Sequence, residues 1–218
     1  MKSYKKYLIA MPTTLIDIDT FVNSFSKRFP AFSKRQPWEI TNEIVFILQQ
    51  LIGRLKEDPD YRVENDIAVH NTAIIEQNVV LKGPVVIGKN CFVAANAYLR
   101  EGAYLDSNVK IGAGCEIKSS LIFENSSTAH FNYVGNSIIG SDVNVEAGAV
   151  TANHYNERKD KKISVFYQSE VIRTNAIKFG ALIGDNSKIG ANAVLSPGTI
   201  LPPGSVVKRL ELIEQIKG

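Results

Sequence analysis

From Val63 an aliphatic residue returns every six positions, at Val69, Ile75, Leu81, Ile87, Val93, Leu99, Leu105, Ile111 and Ile117. The beat is irregular through the middle of the chain and returns as Ile183, Ile189, Leu195, Leu201 and Val207. Six matches neither the helical turn of about 3.6 residues nor the alternation of an ordinary strand, but it allows one short strand and one tight corner per repeat. Four residues after each beat stand small side chains: Ala73, Val79, Cys91, Ala97, Ala103 and Cys115, and later Ser187, Ala193, Thr199 and Ser205. These can fill a narrow interior. Three residues after it stand Asn78, Asn90, Asn96, Gly102, Asn108 and Gly114, then Asn186, Asn192, Gly198 and Gly204. Asn and Gly accept the positive φ of a sharp corner. The chain therefore reads as mainly β, a solenoid of stacked coils, and three repeats are taken as one coil.

Composition permits this and narrows the function. Of 218 residues 44% are hydrophobic and 22% charged, an ordinary globular balance. A formal charge of +3 is too mild to imply nucleic acid, though it suits an anionic ligand. Cys91 and Cys115, both at the small interior position and 24 residues apart, are expected as buried free thiols on different faces. The opening MKSYKKYLIAMPTTL has too short an apolar run for a signal peptide, and no stretch approaches the ~20 apolar residues of a membrane span. A cytoplasmic protein is the expectation.

Residues 13–29 are expected as a helix, with Thr13 or Thr14 as cap and Leu15, Ile18, Phe21, Val22 and Phe25 on one face, ended by Pro30. A second helix opens near Pro37 and carries Trp38, Ile40, Ile44, Ile47, Leu48, Leu51 and Leu55. Together, residues 1–62 are expected to form a helical cap over the open end of the solenoid, which otherwise exposes apolar core and unpaired edges. A partner-binding helix pair is the competing reading. The solenoid is assigned to residues 63–207, with a basic loop inserted at about 156–176. That loop is either a solvated charge run or an arm over a neighbouring subunit's ligand. Residues 208–218 are expected as a short amphipathic helix.

Re-counting the middle gives the vertical neighbours. Ile117 to Ile122 and Val134 to Ile139 are steps of five, and the other steps through Thr128, Val145 and Thr151 are six. With three repeats to a coil, Leu99, Ile117, Val134 and Thr151 stack about 4.8 Å apart. Arg100 then lies under Lys118, with Gly135 and Ala152 above; Tyr98 lies under Glu116, with Tyr133 and Val150 above; and His130 shares a corner column with Ala113 and Ala147. Two cations, a carboxylate, a phenol and an imidazole are gathered on one scaffold.

The segments LREGA (99–103), CEIKSS (115–120), AHFNYVGN (129–136) and VNVEAGAVTAN (143–153) resemble, element for element, the LRPGA, VEIKK, GHLSYIGD and VNIGAGTITCN of the acetyltransferase domain of bifunctional N-acetylglucosamine-1-phosphate uridylyltransferases. KFGALIGD (178–185) is similar to a stretch of archaeal sugar-phosphate nucleotidylyltransferases of the same design. The resemblance covers about half of the chain. It implies a left-handed parallel β-helix, a homotrimer with sites between subunits, and direct acetyl transfer from acetyl-CoA to an amino-sugar phosphate or nucleotide amino sugar, with no metal, no nucleic acid and no membrane partner.

Residue by residue, the resemblance implies His130 as catalytic base and Arg100 and Lys118 as cations for a sugar phosphate. It places Tyr133 and Asn144 at sugar-binding positions, Ala147 against acetyl-CoA, and Asn153 near the amine and thioester. Glu116, from its column, and His154, beside Asn153, complete the candidate acceptor site. An amine attacking a thioester must lose its proton, and a neutral imidazole accepts one near neutral pH. The first 65 residues contain no Gly-rich nucleotidyltransferase loop, so the uridylyl-transfer half is not expected here. The competing reading is a non-catalytic sugar-phosphate or nucleotide-sugar binding protein or scaffold; a metalloprotein like the γ-class carbonic anhydrases is disfavoured, because the three histidines, His70, His130 and His154, include no closely spaced pair.

Overall fold

A computed structural model describes residues 15–216. Short parallel strands stack into three faces, and each beat residue points inward. The first face comprises Val80–Lys82, the start of Tyr98–Leu105, the start of Glu116–Ile122, Tyr133–Gly135, Val150–Thr151, Val194–Leu195 and Leu212–Ile213, paired in that order. The second comprises Ile67–His70, Val85–Ile87, the ends of the two long strands, Ile138–Ile139, Ala181–Ile183 and Thr199–Leu201. Strands from Ile74–Ile75 to Val206–Val207 make the third, a seven-stranded sheet. Leu99 pairs with Ile117, Ile117 with Val134, and Val134 with Thr151, the stack expected from the five-residue steps.

The interior is a continuous aliphatic column. Ile87, Val93, Leu99, Leu105, Ile111, Ile117 and Ile122 are all 0% exposed. Each such side chain stabilises the fold by roughly 1.5–3 kcal/mol through burial. Asn78, Asn90, Asn96, Asn108, Asn186 and Asn192 take φ between 56 and 62, the left-handed corner for which Asn is enriched. Cys91 and Cys115 are buried free thiols inside this column, and the Cys91 thiol donates to the Asp106 carbonyl at 2.9 Å. Burial, its largest influence, pushes Cys91 up to about 12.

The helical region differs from the expected end cap. The run expected over 13–29 is broken: Ile18–Thr20 is one short 3-10 turn and Phe25–Arg28 one α-helical turn, while the proposed caps Thr13 and Thr14 lie outside the described residues. The second helix forms over Pro37–Leu55, with Pro37 in its first turn and the Glu39 carboxylate accepting from the Gln36 N–H at 2.9 Å.

Both pieces lie along the second face rather than across the solenoid's end. The reason is in that face's outward residues: Ala68, Val86, Tyr104, Leu121, Ile138, Leu182 and Ile200 are apolar and need covering. Trp38, Ile40, Ile44, Ile47, Leu48 and Ile52 bury against them together with Phe25 and Phe29. The ring of Phe29 meets Tyr104 edge-on at 5.1 Å. Arg28 Nε holds Asp106 at 2.8 Å, and Asp185 accepts the N–H groups of Asn23 at 3.0 Å and Ser141 at 2.7 Å, fastening the segment to the coils.

Three boundaries shift as well. Val63 belongs to Tyr61–Glu64, which pairs antiparallel with Ile67–His70, so the parallel coils begin only at Ile67. Residues 208–216 form no helix; Leu212–Ile213 adds another strand above Val194–Leu195, because Ile213 continues the six-residue beat from Val207. The inserted loop contains an antiparallel hairpin, Ser164–Tyr167 with Glu170–Arg173, whose Val165 and Ile172 are buried in the core of the covered second face.

Candidate functional site

The first face remains open to solvent. Its strands alternate, so Tyr98 and Arg100 point outward around the inward Leu99. The ladder pairs Arg100 with Lys118 and Lys118 with Gly135, and it sets Tyr98, Glu116, Tyr133 and Val150 in the adjacent outward column. Arg100, Lys118, Glu116 and Tyr133 are thus brought together on one wall.

Arg100 donates from Nε and Nη2 to Glu116, both at 2.7 Å, and its Nη1 pairs with Glu101. Lys118 Nζ reaches the other oxygen of Glu101 at 3.2 Å. Burial opposes the charge of Arg100, but the hydrogen bond and charge of Glu116, then Glu101, outweigh it and raise the guanidinium further. Burial also works against the Glu101 carboxylate, yet Lys118 and then Arg100 hold it below the usual range. Glu101 is not among the residues named from the sequence. It could have been found from spacing: the corner between Arg100 and Ala103 holds two residues where the next coil holds one, and the ladder shifts register there. The extra residue bulges outward with φ 52 at Glu101 and 96 at Gly102, and this projects the carboxylate over the two cations.

Above Lys118, Gly135 makes room for a polar cluster. A Cβ on Gly135 would lie 2.6 Å from the Tyr133 hydroxyl oxygen and 2.9 Å from Asn153 Nδ2. The phenol therefore folds across the glycine against Asn153, whose amide is buried and donates to Asn136 Oδ1 at 2.7 Å. Burial first, and then the negative charge of Glu116, raises the Tyr133 hydroxyl above its usual range, so it stays a proton donor. His154 is exposed, with Nδ1 3.2 Å from Asn153 Oδ1.

His130 stands at the corner leading into this face, three residues before Tyr133. The corner ladder runs as the spacing predicts: the Ala113 carbonyl accepts from Phe131, the His130 carbonyl from Gly148 at 2.8 Å, and the Ala147 carbonyl from Asn192 at 2.9 Å. The imidazole is exposed and makes no hydrogen bond to another described residue. Next to it Phe131 is 73% exposed with φ 54, where the same corner of other coils carries Gly114, Gly148, Asn96 or Asn192. Leu210, in the same column, is 79% exposed with φ 61. Bulky residues seldom adopt this conformation, and these two hold apolar surface out along the His130 corner.

Asn144 is not brought to the Arg100 cluster. It lies on the third face, accepting from Ser127 Oγ at 2.8 Å. With Glu146, Lys188, Gly190, Lys208 and Arg209 it lines a groove of about 470 Å³ on that face. Arg209 grips Glu146 with two bonds of 2.8 Å, and the N–H of Ala191 adds a third to that carboxylate at 2.9 Å; together they hold Glu146 below its usual range. Lys188 and Lys208 have no ion-pair partner among the described residues. His70, by contrast, is buried at the end of its strand, with its ring edge-on to Tyr61 and Nδ1 accepting from the Thr72 N–H at 3.1 Å. Among the described residues no three His, Cys, Asp or Glu side chains are grouped to hold a metal, and no helix is long and apolar enough to cross a membrane.

Known proteins share this repeat. A profile of the bacterial transferase hexapeptide matches residues 66–101 and 84–119, and one of the hexapeptide repeat of succinyl-transferase matches 175–208. The fold is a hexapeptide-repeat β-helix.

The bifunctional protein GlmU of Streptococcus uberis is 40% identical over 83 residues, covering 38% of this chain and 18% of the relative. A bifunctional sugar-1-phosphate nucleotidylyltransferase/acetyltransferase of Sulfurisphaera tokodaii is 43% identical over 75 residues, covering 34% and 18%. The chain thus spans less than a fifth of the length of either relative. Among solved structures, a hexapeptide transferase family protein from Anaplasma phagocytophilum gives a TM-score of 0.30 at 19% identity, covering 66% of this chain and 70% of that one. A mutant of perosamine N-acetyltransferase from Caulobacter crescentus, in complex with CoA and GDP-perosamine, gives 0.24 at 18%, covering 80% and 66%.

Proposed function

We propose that this β-helix is an acetyltransferase that moves an acetyl group from acetyl-CoA to the amine of an amino-sugar phosphate or nucleotide amino sugar. The observation that carries the reading is the joint placement on one open face of Arg100, Lys118, Glu116 and Tyr133, with Asn153 and His154 at its far end and His130 at its near corner. The polar wall orients the acceptor, and His130 takes the proton that the amine releases as it attacks the thioester. The reaction then needs no covalent enzyme intermediate.

Acetyl-CoA fits the groove on the third face, where Lys188 and Lys208 offer charge to the coenzyme's phosphates. Asn144, from the third face, reaches the acceptor only if a neighbouring copy brings that face to the Arg100 wall. The exposed Phe131 and Leu210 along the corner suit such packing, in a homotrimer with sites between subunits. Sedimentation equilibrium tests this: a monomer at micromolar concentration counts against it.

Purified protein given acetyl-CoA and a panel of amino-sugar phosphates and nucleotide amino sugars is expected to release CoA thiol. His130→Ala should lower kcat by about 10²–10⁴-fold. Tight binding of a panel member with no thiol release from any acyl donor would instead make the chain a binding protein.

A further inference from the structure

The Arg100–Lys118 pair resembles an anion site in sequence, but both cations are already held by carboxylates. Arg100 pairs with Glu116 and Glu101, and Lys118 with Glu101, while Lys82, one coil below Arg100, lies over the Tyr98 ring. Glu101, pushed out by the bulge between Arg100 and Ala103, sits with one oxygen on each cation, as a phosphate's oxygens would. A phosphomonoester, doubly charged near neutral pH, must expel that carboxylate and then remain close to it and to Glu116.

We infer that Glu101 is a specificity residue that closes the Arg100–Lys118 pair to phosphomonoesters, and that this end of the site takes an uncharged, hydroxyl-bearing part of the acceptor. Paired Arg and Lys donors beside paired Glu acceptors match hydroxyl groups, which both give and accept hydrogen bonds. Tyr98, with Lys82 at 5.2 Å and Arg100 at 5.5 Å from its ring, gives an aromatic floor at the same end for a sugar's apolar face. This deepens the proposed reading by choosing between its two acceptor types. It favours a nucleotide amino sugar, whose phosphates lie away from the reacting sugar ring's far hydroxyls, over an amino-sugar phosphate held here by its phosphate.

The inference is tested by binding, without turnover. Calorimetric titration uses the full chain and two probes, glucosamine 1-phosphate and UDP-glucosamine. The variants are Glu101→Gln, which keeps size and loses charge, and Glu101→Asn, which also suits the left-handed backbone at φ 52. Both are expected to bind glucosamine 1-phosphate at least tenfold more tightly than the wild type. That gain should shrink as salt rises, and affinity for UDP-glucosamine, whose hydroxyls lose one carboxylate acceptor, should not rise. Wild-type binding of glucosamine 1-phosphate as tight as that of the variants overturns the inference, as does failure of every variant to bind it. Loss of the acetyltransferase reading has a different signature: the binding contrast persists while no acceptor releases CoA.

Discussion

Gly135→Ala tests the acceptor wall without removing any functional group. The added Cβ would sit 2.6 Å from the Tyr133 hydroxyl oxygen, 2.8 Å from its Cε1 and 2.9 Å from Asn153 Nδ2, all closer than carbon tolerates. The two neighbours respond differently. Tyr133 is partly exposed and can swing its ring outward at small cost, whereas Asn153 is 5% exposed and held by the 2.7 Å bond to Asn136. Stretching or losing that buried bond costs about 0.5–1.5 kcal/mol. For a chain of this size that lowers the melting temperature by roughly 2–5 °C. A displaced Tyr133 hydroxyl and Asn153 amide would together lose about two hydrogen bonds to the acceptor, so kcat/KM should fall by roughly 10–100-fold. Thermal denaturation followed by circular dichroism gives the first quantity, and CoA-thiol release against acceptor concentration gives the second. A variant with the expected loss of stability but wild-type kcat/KM would refute Tyr133 and Asn153 as acceptor contacts. If Gly135→Ala costs as much stability in an Asn153→Ala background, where the clashing amide is gone, the steric explanation fails too.

Gly102→Ala strikes the contact between coil and helix. The residue has φ 96, and its Cβ would lie 2.5 Å from Ile44 Cγ2, so the variant should lose about 2–4 kcal/mol in urea unfolding, with Ile44→Ala in the same chain recovering part of it. Native protein should show no fast reaction of Cys91 or Cys115 with a disulfide reagent at pH 8, and both should react once denatured, because both thiols are buried. The raised Cys91 contributes stability that is complete below the unfolded thiol value of 9.0 and lost as pH rises towards about 12. The melting temperature of the wild type should therefore fall more steeply above pH 9 than that of Cys91→Ala, and parallel curves would remove burial of the thiol as the cause.

The solenoid was legible because the interior imposes one demand on every coil. An inward aliphatic every sixth residue, with Asn or Gly at the corner, is repeated often enough to survive the shortened steps after Ile117 and Val134. The covering of the second face was legible too, in a column that the beat itself hides. The residues just before the beat read Val86, Tyr104, Leu121, Ile138, Leu182 and Ile200 on that face, but Ile74, Phe92, Lys110, Ser127, Asn144, Lys188 and Val206 on the third, polar through its middle coils and apolar only towards its ends. Apolar outward residues every coil demand a lid along the side, and the helix Pro37–Leu55 meets that demand. The break within residues 13–29 was less visible, since Ile18, Phe21, Val22 and Phe25 keep helical spacing. Their burial under tertiary contacts, with Asp185 accepting the Asn23 N–H, outweighs local propensity.

At the site, periodicity decides which Cα atoms are neighbours but not which charges pair. Counting to Arg100, Lys118, Glu116 and Tyr133 places them together because strand register is rigid. Whether the two cations are free depends on Glu101, whose position follows from a corner one residue longer than the one above it. A residue that looks like a loop filler in LREGA thus occupies both cations of the wall, through a bulge that only the difference between successive coils reveals. The corner that makes His130 accessible follows the same logic, for Phe131 occupies a left-handed position that Gly or Asn fills elsewhere. Glu101 and Phe131 both hold left-handed backbone, at φ 52 and 54, and this costs strain of order 1 kcal/mol each. A scaffold built only for stability would place Asn or Gly at both, so the strain falls where the regular coil gives way to the candidate chemistry.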